Sequence, residues 1–310
     1  MSALGGHVTE YLRLRRALGF TLADPGRVLP QFVAWMEVRG GETVTVEAAL
    51  EWTRLTVNAS TTRLSQRLGA VRGFARYLHS IDPATEIPPA GVFGKPERFV
   101  PHIYTDEQLT ALLAATRRLE PALRAATIHA LFGLLISTGM RIGEALRLTD
   151  DDVDLVGGVL TIRHAKFDRD RLVPLHPTVT DMLGDYARDR DRHHASARDG
   201  AFFVSGSGAA LGYNHVHAGF RVLLGWTGIV TAAGNQPRVH DLRHAFTVNT
   251  LIGWQRDGID IGGRLPVLST YLGHVSPAST YWYLQAVPEL MRHAADRLEV
   301  HAKIAPGVVS

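Results

Sequence analysis

The stretch IHALFGLLISTGMRIGEAL, residues 128–146, decides how this chain is read. The run from Ile128 to Ile136 is the longest apolar segment, is too short to cross a bilayer and carries His129 within it, so it reads as a buried helix. Gly139 ends that helix and Arg141 opens the next one. Glu144 follows three residues later on the same helical face. A guanidinium in that place can point a rigid, permanently charged fork into a cleft, or it can pair with Glu144 on the surface.

Two further segments extend the pattern toward the C-terminus. In VHDLRHAF (residues 239–246), His240 and Arg243 are spaced i, i+3 and leave one helix in the same direction, with Leu242, Ala245 and Phe246 behind them. In YLGH (271–274), His274 follows a glycine at a helix end, and STYWYL (279–284) places Tyr283 nine residues after it. Tyr281 is a second phenol, and two positions two apart on a helix face different ways, so one of the two enters a cleft while the other packs or faces solvent. Upstream, Val159–His164 and Arg171–Leu175 read as two short strands around KFDRD (166–170), a hairpin with Lys166 at its strand-to-turn junction. Arg163, Arg169 and Arg171 lie close by, but only a lysine can give up a proton near neutral pH. Arg141, Lys166, His240, Arg243, His274 and Tyr283 together suit a phosphodiester. Guanidiniums can hold its non-bridging oxygens, a phenol can attack phosphorus, and a lysine or histidine can protonate the leaving oxygen.

Composition narrows the remaining choices. The chain has 310 residues, enough for one large or two ordinary domains, and 45% are hydrophobic, as in well-packed globular proteins. It has no cysteine, which excludes disulfides, thiolate nucleophiles and cysteine-based zinc sites. No secretory leader is visible at the N-terminus, and a reducing cytoplasm is the expected setting. The pI near 9.3 suits a polyanionic partner. The net charge is only +3, with 12 Lys/Arg against 9 Asp/Glu in residues 1–98 and 21 against 21 in the rest, so a DNA-binding surface must come from arrangement and not from excess. The 15 histidines include the pairs His193–His194 and His215/His217, but no His-Glu-x-x-His spacing, and no metal site is expected.

Periodicity divides the chain. Residues 8–79 read as helices at Val8–Leu18, Val28–Arg39 with Pro30 in its first turn, Thr45–Leu55, and a long one from a Ser60–Thr62 cap to about His79. On the last, Leu64, Leu68, Val71, Ala75 and Leu78 share one face. Arg63 and Arg67 flank that face on one side, Arg72 and Arg76 on the other, either as solvated shoulders of a core helix or as phosphate contacts. Residues 80–101 carry five prolines and read as a linker. Helices then follow at 106–116, 121–138, 142–148 and Thr178–Arg192, and beyond the hairpin at about 213–224, 240–252, 265–273, 276–284 and 288–303, with Gly253–Gly263 as a long connecting loop.

These segments resemble the tyrosine recombinase (phage integrase) family. The match runs over about residues 100–290, and the helical N-terminal region is similar to that family's core-binding domain. The resemblance implies a mainly α fold with a small β-hairpin or sheet. It places a core-binding, DNA-binding domain at 1–85, a linker at 86–103 and a catalytic domain with a C-terminal tail at 104–310. Arg141, in its Thr-Gly-x-Arg-x-x-Glu setting, matches the family's first arginine and Lys166 its hairpin lysine. His240 and Arg243 match the His-x-x-Arg pair, His274 the Leu-Gly-His histidine, and Tyr283 the nucleophile.

The implied activity is site-specific cleavage and rejoining of DNA through a 3′-phosphotyrosyl link, without metal, ATP or other cofactor. The implied partners are double-stranded recombination sites, three further copies of the chain in a tetramer on DNA, and an accessory recombinase or DNA-bending protein. Glu289–Lys303 is expected to be a helix that docks on a neighbouring subunit or packs within its own chain. The Ser-Thr-Tyr-Trp-Tyr-Leu stretch leans toward recombinases of transposons and integrative elements. A type IB topoisomerase-like DNA-relaxing enzyme and a non-catalytic DNA-binding regulator on the same scaffold are the alternative readings.

Overall fold

The computed structural model describes residues 3–94, 100–165, 169–194, 200–274, 280, 281 and 283. The chain divides into two compact units, Met1–Phe99 and Val100–Ser310. The architecture is mainly helical with one small antiparallel sheet, as the sequence implies.

The first unit holds α1 (Ala3–Ala17), α2 (Ala23–Val38), α3 (Val46–Arg54) and α4 (Thr61–His79). α1 starts at Ala3 and not at Val8, because Leu4 and Val8 are both buried and their burial outweighs the poor helix propensity of Gly5 and Gly6. α2 starts at Ala23 and not at Val28, which moves Pro30 from the expected first turn into the helix interior, where Gly26 O lacks its i+4 N–H donor. Thr45 and Ser60 side chains cap α3 and α4, accepting from the backbone N–H groups of Ala48 (3.1 Å) and Arg63 (3.3 Å). Leu68, Val71, Ala75 and Leu78 of α4 are buried as the periodicity requires, and Leu64 is half-buried. They close over Phe32, Trp52, Phe74 and Tyr11, whose rings meet edge to face or tilted, with Phe32 and Trp52 centroids 5.2 Å apart. Part of the stretch read as linker is tied to this unit. Glu86 donates its N–H to Val44 O (2.8 Å) and accepts from Val46 N–H (2.7 Å), while Arg72 donates to the carbonyls of Pro88 and Pro89.

The four arginines of α4 part company here. Arg76 is exposed. Arg63 forms an ion pair with Asp24 (3.2 Å), and Arg72 is held by the two proline carbonyls. Arg67 turns inward. Only 9% of it is exposed, and its guanidinium carbon lies 3.8 Å from the ring centroid of Trp52. Desolvation in that position favours a stacked cation over a solvated one.

The second unit begins with α5 (Asp106–Thr116), fixed by a Thr105–Gln108 capping box. α6 (Ala122–Thr138) is buried on nearly every side, because α5, α8 (Pro177–His193) and α10 (Asp241–Arg256) all pack on it. Phe132 of α6 meets Phe220 of α9 (Tyr213–Thr227) edge to face at 5.4 Å. A short α7 (Ile142–Ala145) and a 3-10 turn (Asp150–Asp152) lead to β1 (Val153–Asp154), β2 (Val159–Ala165) and β3 (Arg169–Pro174). The expected helix at 142–148 stops at Ala145. The order is β1-β2-β3, with Val159 opposite Pro174 and Leu160 opposite Val173, and the register shifts between Ile162 and Ala165.

The expected 253–263 loop is mostly helix. α10 runs on to Arg256, and α11 (Ile261–Leu272) starts within the stretch. The Asp260 carboxylate accepts from the N–H groups of both Gly262 (3.0 Å) and Gly263 (3.2 Å), and that cap overrides the glycines' low propensity. α10 and α11 bury Val248, Leu251, Leu265, Leu268 and Leu272 around Tyr283. Thr280, Tyr281 and Tyr283 are helical, and the other residues of the helix expected at 276–284 lie outside the described residues. The helix expected at 288–303 lies outside the described residues, as does Trp282. Among the described residues, no helix is long and apolar enough to cross a membrane.

Candidate active site

Two helix C-termini, those of α6 and α11, form the floor of the site. Each ends in a left-handed glycine, Gly139 at φ 60° and Gly273 at φ 67°. Neither position admits a side chain. A Cβ on Gly139 would fall 2.3 Å from Phe246 Cδ1, and one on Gly273 would fall 2.8 Å from Arg171 Nη1. Helix ends leave carbonyls without partners, and their partial negative charge attracts cations. Here arginines fill that need. Arg243 donates to Gly139 O and Leu272 O, both at 2.8 Å. Arg141 donates to Gly273 O (2.9 Å), and Arg171 Nε donates to Tyr271 O (3.0 Å). The carbonyls that finish the helices thereby orient the guanidiniums.

Glu144 locks two of these arginines together. Its carboxylate accepts from Arg141 Nη1 (2.8 Å) and Arg141 N–H (3.0 Å), and from Arg171 Nη1 (3.1 Å) and Nη2 (2.7 Å). Burial pushes this carboxyl up, but the Arg171 and Arg141 donors outweigh it and hold it at about 2. The folded value lies below the ordinary 4.5, so the resulting stability is fully present above the unfolded value and is lost as pH falls toward 2. The shift corresponds to about 3 kcal/mol. We predict that Glu144→Gln lowers the stability of this unit by about 3 kcal/mol at pH 7, since it leaves two packed cations uncompensated. The gap to the unsubstituted protein should narrow steeply between pH 5 and 2 in denaturant titrations. An equal gap at pH 7 and pH 3 would sink this account.

Arg141 keeps 31% of its side chain exposed, so its anchored guanidinium is still open to solvent. Arg243 is buried, and burial together with Arg141 lowers it to about 10, which leaves it charged at neutral pH. His240 stands at the N-terminus of α10 with an edge in solvent. Desolvation by the residues packed against its ring, then the charges of Arg243 and Arg238, hold it below the usual imidazole value. His274 packs its Nδ1 against Thr280 Oγ1 at 2.7 Å, with Thr280 itself fully buried. Burial and the Arg243 and Arg141 cations bring His274 down to about 4.

The two tyrosines are separated cleanly. Tyr281 is 47% exposed, while Tyr283 is 3% exposed, with its ring in the α10–α11 cluster. The Tyr283 hydroxyl lies 2.5 Å from His244 Nδ1. Burial raises that phenol, and Arg243 and the Thr247 hydroxyl pull it back. His244 also meets the His240 ring edge to face at 4.9 Å between centroids. The sequence places Arg171 beside Lys166 at the hairpin without giving it a role in the site, and gives His244 none. His244 sits four residues after His240, on the same helical face, and that spacing was the available signal. Arg171 gave none, because its partners come from α7 and α11. Lys166 lies outside the described residues. Among the described residues, no three His, Asp or Glu side chains are grouped to hold a metal ion.

Residues 103–289 match the model of the phage integrase family. The chain belongs to that family. It is accordingly a site-specific DNA recombinase of the tyrosine type. A Sinorhizobium fredii protein assigned as integrase/recombinase y4rB is 41% identical over 96% of this chain and 98% of its own length. Two solved structures share the fold. The Tn1549 transposon integrase, in complex with transposon right-end DNA, has a TM-score of 0.65 at 16% identity over 94% of this recombinase and 99% of that chain. A lambda integrase tetramer bound to a Holliday junction has a TM-score of 0.60 at 15% identity over 89% and 79%.

Proposed function

We propose that this recombinase cuts and rejoins DNA through a 3′-phosphotyrosyl intermediate on Tyr283, with no metal ion and no nucleotide cofactor. The observation that carries this reading is the buried Tyr283 phenol beside His244 and Arg243 at the junction of two helix ends, with Arg141, His240 and His274 grouped around Arg243. Tyr283 Oη attacks the phosphorus, the P–O5′ bond breaks, and a free 5′-hydroxyl results. Arg141 and Arg243 stabilise the charge that develops on the non-bridging oxygens. His240 and His274 position the phosphate and help with proton transfer, and Lys166 protonates the departing 5′ oxygen. The phosphotyrosine conserves the energy of the broken bond, so rejoining needs no ATP.

Residues 1–85 are the core-binding domain in this proposal and 104–310 the catalytic domain. Arg63, Arg72 and Arg76 supply phosphate contacts from α4, and Arg67 supports them from within. Four protomers assemble on two cytoplasmic DNA sites and exchange strands through a Holliday junction, aided by an accessory recombinase or DNA-bending protein. The Glu289–Lys303 segment contacts a neighbouring subunit. The transposon integrase among the structural relatives supports a place on a mobile element.

The test is covalent trapping. Purified protein is mixed with fragmented DNA from its host in EDTA without ATP, and SDS-resistant adducts are isolated and sequenced. An adduct confined to particular sequences supports a site-specific recombinase. Adducts spread evenly over the DNA favour a topoisomerase-like enzyme, and DNA binding without any adduct favours a regulator.

A further inference from the structure

We infer that His244 is the general base of strand cleavage, taking the phenolic proton of Tyr283 onto its Nδ1 as Tyr283 Oη bonds to phosphorus. The inference rests on the phosphotyrosyl reading and assigns a step that reading leaves open, namely which single group takes the nucleophile's proton. Geometry carries it. His244 Nδ1 stands 2.5 Å from Tyr283 Oη, within reach of a direct transfer. The other two imidazoles are placed differently. His274 Nδ1 is engaged by Thr280 Oγ1, and His240 stands at the solvent edge, meeting His244 ring to ring.

The step balances. With its own proton on Nε2, His244 presents the Nδ1 lone pair. The Oη–H proton moves to Nδ1, an Oη lone pair forms the O–P bond, the P–O5′ bond breaks, and the 5′ oxygen is protonated by the separate acid assigned to Lys166. Rejoining runs the same path backwards, and the His244 imidazolium returns the proton to the phenolate.

The surroundings suit a base. Asp241 and Arg243 on α10, Arg238 and His240 just before it, and His274 and Tyr283 beyond α11 all face this imidazole. Burial and the neighbouring cations, opposed by Asp241, keep His244 neutral at physiological pH, at about 4 before DNA arrives. An incoming phosphate adds negative charge beside it and strengthens its hold on a proton as the reaction proceeds. Burial raises the Tyr283 phenol, which therefore needs a base more than an exposed tyrosine does.

The experiment measures single-turnover adduct formation on a nicked substrate carrying the trapped site, for the unsubstituted protein, His244→Gln and His244→Asn. The expected slowing is about 10²- to 10³-fold with unchanged DNA affinity. The unsubstituted rate should be flat from about pH 6 to 9, whereas both variants should gain about tenfold per pH unit, as ionisation of the phenol replaces the missing base. A 5′-bridging sulfur in the substrate, which needs no protonation to leave, should not restore the variants. Rates equal to or above the unsubstituted protein overturn the inference. So does a slow variant with a flat pH profile, or one restored by the sulfur leaving group. An unsubstituted protein that forms no adduct on any DNA would overturn the phosphotyrosyl reading itself, an outcome distinct from a failure of His244 alone.

Discussion

Tyr283→Phe is expected to abolish the covalent protein–DNA adduct while leaving DNA affinity within about twofold, and Tyr281→Phe is expected to change neither. The substitution removes one oxygen and keeps the ring, so Val248, Leu251, Leu265, Leu268 and Leu272 stay packed around it. Losing the 2.5 Å contact with His244 costs about 1 kcal/mol, small beside the stability of a unit of this size. The chemical effect is all or none, because no other described phenol meets both an imidazole and the Arg243 charge. Tyr281 is separated from that environment by its 47% exposure. The measurement is adduct yield on a denaturing gel beside affinity by a filter or fluorescence assay. An adduct that survives Tyr283→Phe and disappears with Tyr281→Phe would move the nucleophile by two residues.

Arg243→Ala is expected to slow adduct formation about 10²- to 10³-fold, the usual consequence of losing one donor to a developing oxyanion. It is also expected to destabilise the second unit. Gly139 O and Leu272 O both accept from Arg243 inside the protein, and each orphaned carbonyl costs about 1–3 kcal/mol. Arg243→Lys separates the two effects. An ammonium retains the charge but cannot span two carbonyls with a planar fork. Its stability should fall between the alanine variant and the unsubstituted protein, with the rate still about 10²-fold down. Rates are to be taken well below the melting transition of each variant. A lysine variant that cleaves at full speed would show that charge alone suffices and that the anchored fork is dispensable.

The mainly α fold with a small hairpin was legible because its signals are local. α4 declares its buried face by spacing, α5 spans the 106–116 stretch that reads as helix, and the hairpin is marked by two short runs on either side of residues 166–170. Where local signals misled, a longer interaction won. Gly262 and Gly263 read as loop until the Asp260 carboxylate caps them, and the helix expected from Val28 starts at Ala23, where Gly26 donates its N–H to Leu22 O and Asp24 pairs with Arg27 and Arg63.

The site divides along the same line. By itself the sequence determined the inventory and order of Arg141, Lys166, His240, Arg243, His274 and Tyr283, because side-chain chemistry and spacing belong to the chain. The tertiary structure decided which groups touch. Arg141 reaches Gly273 O across 132 positions, Arg243 reaches Gly139 O across 104, and Arg171 reaches Glu144 across 27. No periodicity encodes such pairs. The first two arise because helix ends must satisfy their last carbonyls, and the third because the buried Glu144 carboxylate needs cations beside it. His244 belongs to this second class, since only the fold of α10 against the segment after α11 sets its imidazole beside the Tyr283 hydroxyl.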